Sequence, residues 1–144
     1  MAERFDVIIV GARCAGSPLA TLLARAGLRV CVVDRARFPS DTGSTHGIQP
    51  AGVSVLDRLG LLEPLLEVTP AIERGTLAFD DARVDVGDFS EIGGAPMLTP
   101  RRVTLDPFLL EAAAAAGAEV RTRTAVTDLI EARGRVAGVR TDSG

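Results

Sequence analysis

An α/β fold organised around a parallel βαβ unit is predicted by three observations. Residues 5–10, Phe-Asp-Val-Ile-Ile-Val, form a largely apolar run too short for a helix and rich in β-branched side chains. Gly11-Ala-Arg-Cys-Ala-Gly16 follows as a turn bounded by glycines, and a second apolar run over residues 29–33 closes on Asp34. A buried strand, a glycine turn opening a helix, and an acidic residue ending the next strand together suit the adenine half of a dinucleotide.

Each element has a local reason. Residues 5–10 are read as a central parallel strand covered on both faces. Gly11 lets the chain turn sharply, Gly16 lets the next helix lie close to the sheet, and Ala20 extends that small face. The helix start directs backbone N–H groups and a partial positive charge at the turn, which suits a pyrophosphate. Gly11, Ala12, Arg13, Cys14, Ala15 and Gly16 are therefore candidate phosphate-binding residues. Leu19, Leu22, Leu23 and Ala26 are the expected inward face of the helix, and Gly27 its end. Asp34 stands where a carboxylate accepts hydrogen bonds from ribose hydroxyls, with little packing role expected of it. Arg13 occupies the place of the middle glycine of G-x-G-x-x-G. Two placements are open to it: over the phosphates as a counter-charge, or aside as a solvated surface residue.

Residues 35–49 lack periodicity and are rich in Arg, Ser, Thr, Asp and Gly, so a long functional loop is expected there. His46 within it either hydrogen-bonds a ligand or is a half-exposed loop histidine. A helix is expected from Pro50 through Val53, Leu56 and Leu59 to Gly60, with a short helical piece over residues 61–66. Thr69-Pro70 breaks the pattern. Residues 76–79 and 82–86 then alternate as antiparallel strands around Asp80-Asp81. Phe79, Phe89 and Met97 stand at strand spacing and are read as core residues, with a substrate-facing role open only if the family resemblance given below holds. After a loop over residues 93–96, a helix starting near Thr104 or Asp106 runs to Gly117, followed by a strand over residues 119–122. Residues 125–131 and 135–141 form a hairpin around Arg133-Gly134.

Composition narrows the class further. At 144 residues with 47% hydrophobic content, one domain with ample core is the expectation. The net charge of -3 offers no basic face to a nucleic-acid backbone, and the chain has neither Trp nor Tyr for base stacking. No basic leader and no run long enough to span a bilayer is apparent, so a cytoplasmic protein is expected. Two cysteines make no disulfide framework. Cys31 reads as a small buried thiol, and Cys14 as a close-contact residue, with a redox role as its alternative. The single histidine has no partner at metal-ligand spacing, so no metal is expected.

The run from Asp6 to Leu62 resembles the amino-terminal part of FAD-dependent flavoprotein oxidoreductases of the aromatic-hydroxylase and geranylgeranyl-reductase type. Arg101-Arg102-Val-Thr-Leu-Asp-Pro-Phe108 resembles that family's R-x-x-L-D helix start, and Gly117–Arg121 with Ala125–Leu129 its strand bordering the adenine. The resemblance implies a Rossmann-like FAD-binding domain with a small antiparallel β excursion. It further implies that residues 11–16 hold the FAD pyrophosphate, Asp34 the adenosine ribose, and that Arg35 flanks the adenine. Arg102 matches a side chain near the ribityl and phosphate groups, and the Val126 backbone one that touches the adenine edge. Ser44, Thr45 and His46 match a loop passing near the flavin. Residues 1–70 and 100–144 would be the two parts of the FAD-binding domain, and 71–99 strands of a substrate-domain sheet.

The implied activity is NAD(P)H-dependent monooxygenation, or reduction of unsaturated chains, of a small aromatic or polyene substrate. The family's later D-G and G-D segments have no match here, and residues 141–144 read as a sheet cut short, so the chain is expected to be truncated and inactive alone. Two alternatives stay open: a NAD-dependent dehydrogenase, since Asp34 suits that ribose equally, and a non-catalytic nucleotide-binding fragment.

Overall fold

The computed structural model describes residues 3–44 and 47–143. Along the chain run β1 (Val7–Val10), α1 (Gly16–Arg25), β2 (Val30–Val33), α2 (Pro50–Leu59), α3 (Leu62–Leu66), β3 (Ala71–Ile72), β4 (Arg74–Phe79) and β5 (Ala82–Asp88). There follow α4 (Phe89–Gly93), β6 (Met97–Leu98), α5 (Arg102–Ala115), β7 (Glu119–Arg121), β8 (Val126–Ala132) and β9 (Arg135–Thr141). They divide into two compact units, the first made of Met1–Asp41 with Val103–Gly144 and the second of Thr42–Arg102.

The first unit is built on a parallel sheet in the order β1-β2-β7, with Val7 opposite Val30 and Cys31 opposite Glu119. All four residues of β2 are buried. β2 is therefore the middle strand, whereas β1, expected to be central, pairs with β2 alone among the described residues, and its Val10 is 60% exposed. The two runs look alike locally because both are short and β-branched. Their order is decided by β7, which comes from far along the chain and pairs with β2.

Helix α1 corrects a second expectation. Its buried face consists of Gly16, Ser17, Ala20 and Thr21, while Leu19 and Leu22 are exposed and Ala26 lies outside the helix, also exposed. A helix lying this close to a sheet has room only for small side chains beneath it. The two hydroxyls are satisfied locally: Ser17 Oγ donates to the Ala12 carbonyl at 2.8 Å and Thr21 Oγ1 to the Ser17 carbonyl at 2.9 Å. Leu23 and Ala24 are half-buried against a core of Ile9, Ala12, Ala20, Val30, Val32, Ala113 and Ala118. Val32 is fully enclosed. Val32→Ala removes two buried carbon groups and leaves a void, so a loss of about 2 kcal/mol in urea unfolding is expected.

Helix α5 begins at Arg102, earlier than the expected start at Thr104 or Asp106, and carries Pro107 inside it. A proline is favoured in a first turn, which is why the sequence suggests the later start. Burial of Leu105, Asp106, Leu109 and Ala113 along one face offsets the lost backbone bond. The β8–β9 hairpin closes this unit, Ala132 opposite Arg135, with Arg133 and Gly134 both at positive φ as its turn.

In the second unit α2 starts on Pro50 and stops at Gly60 in the left-handed conformation, burying Val53, Leu56 and Leu59. β4 and β5 pair antiparallel around Asp80-Asp81, Phe79 opposite Ala82. Leu77, Phe79 and Val84 on this hairpin are exposed, so Phe79 is not a core residue. Three small elements are not evident in the sequence. Helix α4 is capped by Asp88, which accepts from Ser90 N–H at 2.8 Å, and β3 pairs with β6, Ala71 opposite Leu98. No helix of the described residues is long and apolar enough to cross a membrane.

Burial pushes the Cys31 thiol up from its ordinary range, with the nearby Arg121 cation opposing the shift. The buried neutral thiol contributes stability that is intact below the unfolded-state value and is lost as pH rises toward the higher folded one. The chain has neither Lys nor Tyr to obscure this. Unfolding free energy is expected to fall in the alkaline thiol range, and Cys31→Ala to flatten that slope in urea titrations at stepped pH.

Candidate functional site

The turn between β1 and α1 is fixed by its two glycines. Gly11 takes φ +103°, a conformation that L side chains avoid, and its N–H donates to the Val33 carbonyl at 2.7 Å. A Cβ on Gly16 would lie 1.7 Å from the Gly11 carbonyl oxygen and 3.1 Å from Ile9 Cγ2. Helix and turn are therefore in backbone contact. Ala15 is the N-cap of α1 and provides no side-chain cap, which leaves the helix end available to an anion. Ala12 is fully buried, while Cys14 and Ala15 are exposed.

Asp34 lies beside this turn. It is only 8% exposed; Oδ2 accepts from Ala12 N–H at 2.8 Å and Oδ1 from Ala36 N–H at 2.7 Å. The expectation of a strand-end carboxylate with little packing role is corrected, because Asp34 joins the glycine turn to the end of β2. Its own backbone continues the network, N–H to the Arg121 carbonyl and carbonyl from Thr124 N–H, each at 2.9 Å. Ala36 O accepts from Arg123 N–H at 3.1 Å. These bonds tie the glycine turn and residues 34–36 to residues 121–124, while Arg35 is exposed and Val126, the first residue of β8, is half-buried.

Arg13 is not the solvated surface residue that was one of its two expected placements. Its Nη1 donates to Asp106 Oδ2 at 2.5 Å, its Nη2 donates to Ser40 Oγ at 3.0 Å, and its guanidinium carbon lies 5.0 Å from the centre of the Phe38 ring. The Asp106 side chain is fully buried. Cys14 Sγ donates to Asp106 Oδ1 at 3.7 Å. Asp106, Ser40 and Phe38 are thus site residues that sequence reasoning missed. The available signal was an aspartate on the apolar stretch Leu105-Asp-Pro-Phe-Leu109, with an arginine in a turn otherwise made of small residues.

The remaining candidates are Ser44, Thr45, His46 and Arg102. Ser44 is exposed in the second unit, and Thr45 and His46 lie outside the described residues. Arg102 is half-buried as the first residue of α5 and the last of the second unit.

A parallel βαβ sheet, a glycine turn against a helix start and a carboxylate on the turn define a Rossmann-like nucleotide-binding fold. The chain belongs to the family described as FAD binding domain, whose model matches residues 4–144. It is 34% identical over 145 residues to a menaquinone reductase of Mycolicibacterium smegmatis, covering 100% of this chain and 35% of that protein. It is 32% identical over 126 residues to the 12-dehydrotetracycline 5-monooxygenase/anhydrotetracycline 6-monooxygenase of Streptomyces rimosus, covering 88% of this chain and 25% of that one. Among solved structures, the myxobacterial chondrochloren halogenase CndH, an FAD-dependent halogenase, superposes with a TM-score of 0.88 at 27% identity, over 97% of this chain and 33% of that one. The chain therefore spans about a third or less of these relatives' lengths. Family membership selects FAD between the two nucleotides that Asp34 suits.

Proposed function

We propose that the chain is the FAD-holding portion of a flavin-dependent oxidoreductase, either an NAD(P)H-dependent monooxygenase or a reductase of unsaturated chains, acting on a small aromatic or polyene substrate. The observation that carries this reading is the closure of the turn: backbone contact at Gly11 and Gly16, an uncapped helix start, and Asp34 holding Ala12 N–H. A glycine turn packed backbone to backbone against a helix start fits the arrangement in which free N–H groups face a pyrophosphate. Residues 11–16 would hold the pyrophosphate. Each Asp34 oxygen retains a lone pair for a ribose hydroxyl, with Arg35 and the Val126 backbone beside the adenine. Arg102 would reach the ribityl side, and Ser44, Thr45 and His46 the flavin.

Bound flavin would supply the redox chemistry: hydride acceptance from a nicotinamide, then reduction of the substrate or, with dioxygen as co-substrate, transfer of one oxygen atom while the other leaves as water. The chain's own residues bind and orient it. We assign residues 1–70 and 100–144 to the cofactor domain and 71–99 to a substrate-side sheet, and we expect this chain alone to bind without turnover. A cytoplasmic location, where nicotinamide reductants are supplied, belongs to the same reading. Arg102→Ala is expected to weaken FAD binding at least fivefold and ADP binding little, since only FAD extends to that side. Calorimetric titration with both ligands checks this; equal losses would remove Arg102 from the flavin side.

A further inference from the structure

We propose that the Arg13–Asp106 ion pair is a positioning device that pins the phosphate-binding turn before any ligand arrives, an inference that rests on the cofactor reading for its purpose but not for its geometry. A carboxylate as fully buried as Asp106 is strongly unfavourable without a cation, and Arg13 provides one at 2.5 Å. The backbone of Arg13 is part of the turn itself, its carbonyl accepting from Ser17 N–H at 3.0 Å. Holding the side chain therefore holds the turn.

The guanidinium is anchored by three residues on two segments at once. Asp106 comes from α5, while Ser40 and the Phe38 ring come from the stretch after β2. A planar group with donors on two nitrogens can meet Asp106 and Ser40 while lying over an aromatic ring; a lysine ammonium cannot. Cys14, the next turn residue, donates to the other oxygen of Asp106. The turn is thus secured by two carboxylates from different elements, Asp34 on the Ala12 backbone and Asp106 on the side chains of Arg13 and Cys14. In a fingerprint lacking its middle glycine, the arginine side chain reaches this anchor. Arg13 is a positioning residue.

The test compares the ligand-free 144-residue chain with Arg13→Met, Arg13→Lys and the double variant Arg13→Met/Asp106→Leu. Amide hydrogen exchange at residues 12–17 is read against that of buried β2, and ADP affinity is measured by calorimetry. Arg13→Met is expected to speed exchange at the turn at least tenfold with β2 still protected, and to weaken ADP binding about tenfold. Arg13→Lys should recover part of both. The double variant removes the buried carboxylate together with its Arg13 partner and so is expected to fold even where Arg13→Met does not, with the same loose turn. Turn exchange that is unchanged, or that rises only in parallel with β2, would overturn the proposal. A turn loosened as expected in a chain whose wild type binds no ADP would sink the cofactor reading and leave the pinned turn standing.

Discussion

Replacing Gly16 by alanine is expected to abolish nucleotide binding and to destabilise the fold by about 3 kcal/mol or more. The reason is geometric. The added Cβ would fall 1.7 Å from the Gly11 carbonyl oxygen and 2.9 Å from its carbonyl carbon, both backbone atoms that no rotamer change can move. Relief requires shifting α1 away from the turn, which opens the buried face of Ser17, Ala20 and Thr21 and displaces the helix start from its anion-facing position. Gly43 has open space around its missing Cβ, so Gly43→Ala should change stability by no more than about 0.5 kcal/mol. Urea unfolding and ADP titration of the two variants side by side measure the contrast. Comparable behaviour of the two would show that helix and turn are not in the close contact described.

Asp34→Ala is expected to lower stability by roughly 2–4 kcal/mol as well as nucleotide affinity at least tenfold. Both carboxylate oxygens accept backbone hydrogen bonds, and bonds to a charged acceptor contribute about 1.5–3 kcal/mol each. Water can replace the acceptor at half-buried Ala36 but not at Ala12, which is fully enclosed. Asp34→Asn is expected to recover little. Its amide oxygen can serve one N–H, while its NH₂ group faces the other donor. Denaturation curves and calorimetry read the two effects separately. An unchanged unfolding midpoint with lost affinity would confine Asp34 to ligand contact and remove it from the turn's scaffold.

These two residues also show what a sequence can disclose. The glycine turn, the helix from Pro50 to Gly60 and the hairpins at Asp80-Asp81 and Arg133-Gly134 were legible because turn and cap chemistry is local. Residues 5–10 and 29–33 were legible as strands, but not which one is central, because that depends on pairing with β7. The inward face of α1 was misjudged because leucines usually mark a buried stripe, whereas close approach to the sheet reserved it for Gly16, Ser17, Ala20 and Thr21. The same holds at the site. Asp34 was found from its distance to the glycine turn, yet its partners Ala12 and Ala36 follow from how the strand ends meet. Asp106 lies 93 residues from Arg13, and no local pattern links a buried acid to a cation so far away in sequence. Short β3 and β6 exist only through each other.

The central claim is that residues 11–16 and Asp34 receive the ADP half of FAD, and the measurement that tests it most directly is a ¹H–¹⁵N titration of the chain with ADP and, separately, with riboflavin. It registers even weak binding and reports where it occurs. The account predicts saturable shifts with ADP at the amides of residues 11–17 and at Ala36, whose N–H shares the Asp34 carboxylate, with riboflavin leaving these amides in place. Absence of saturable shifts at that turn, or shifts there with riboflavin as large as those with ADP, would contradict it.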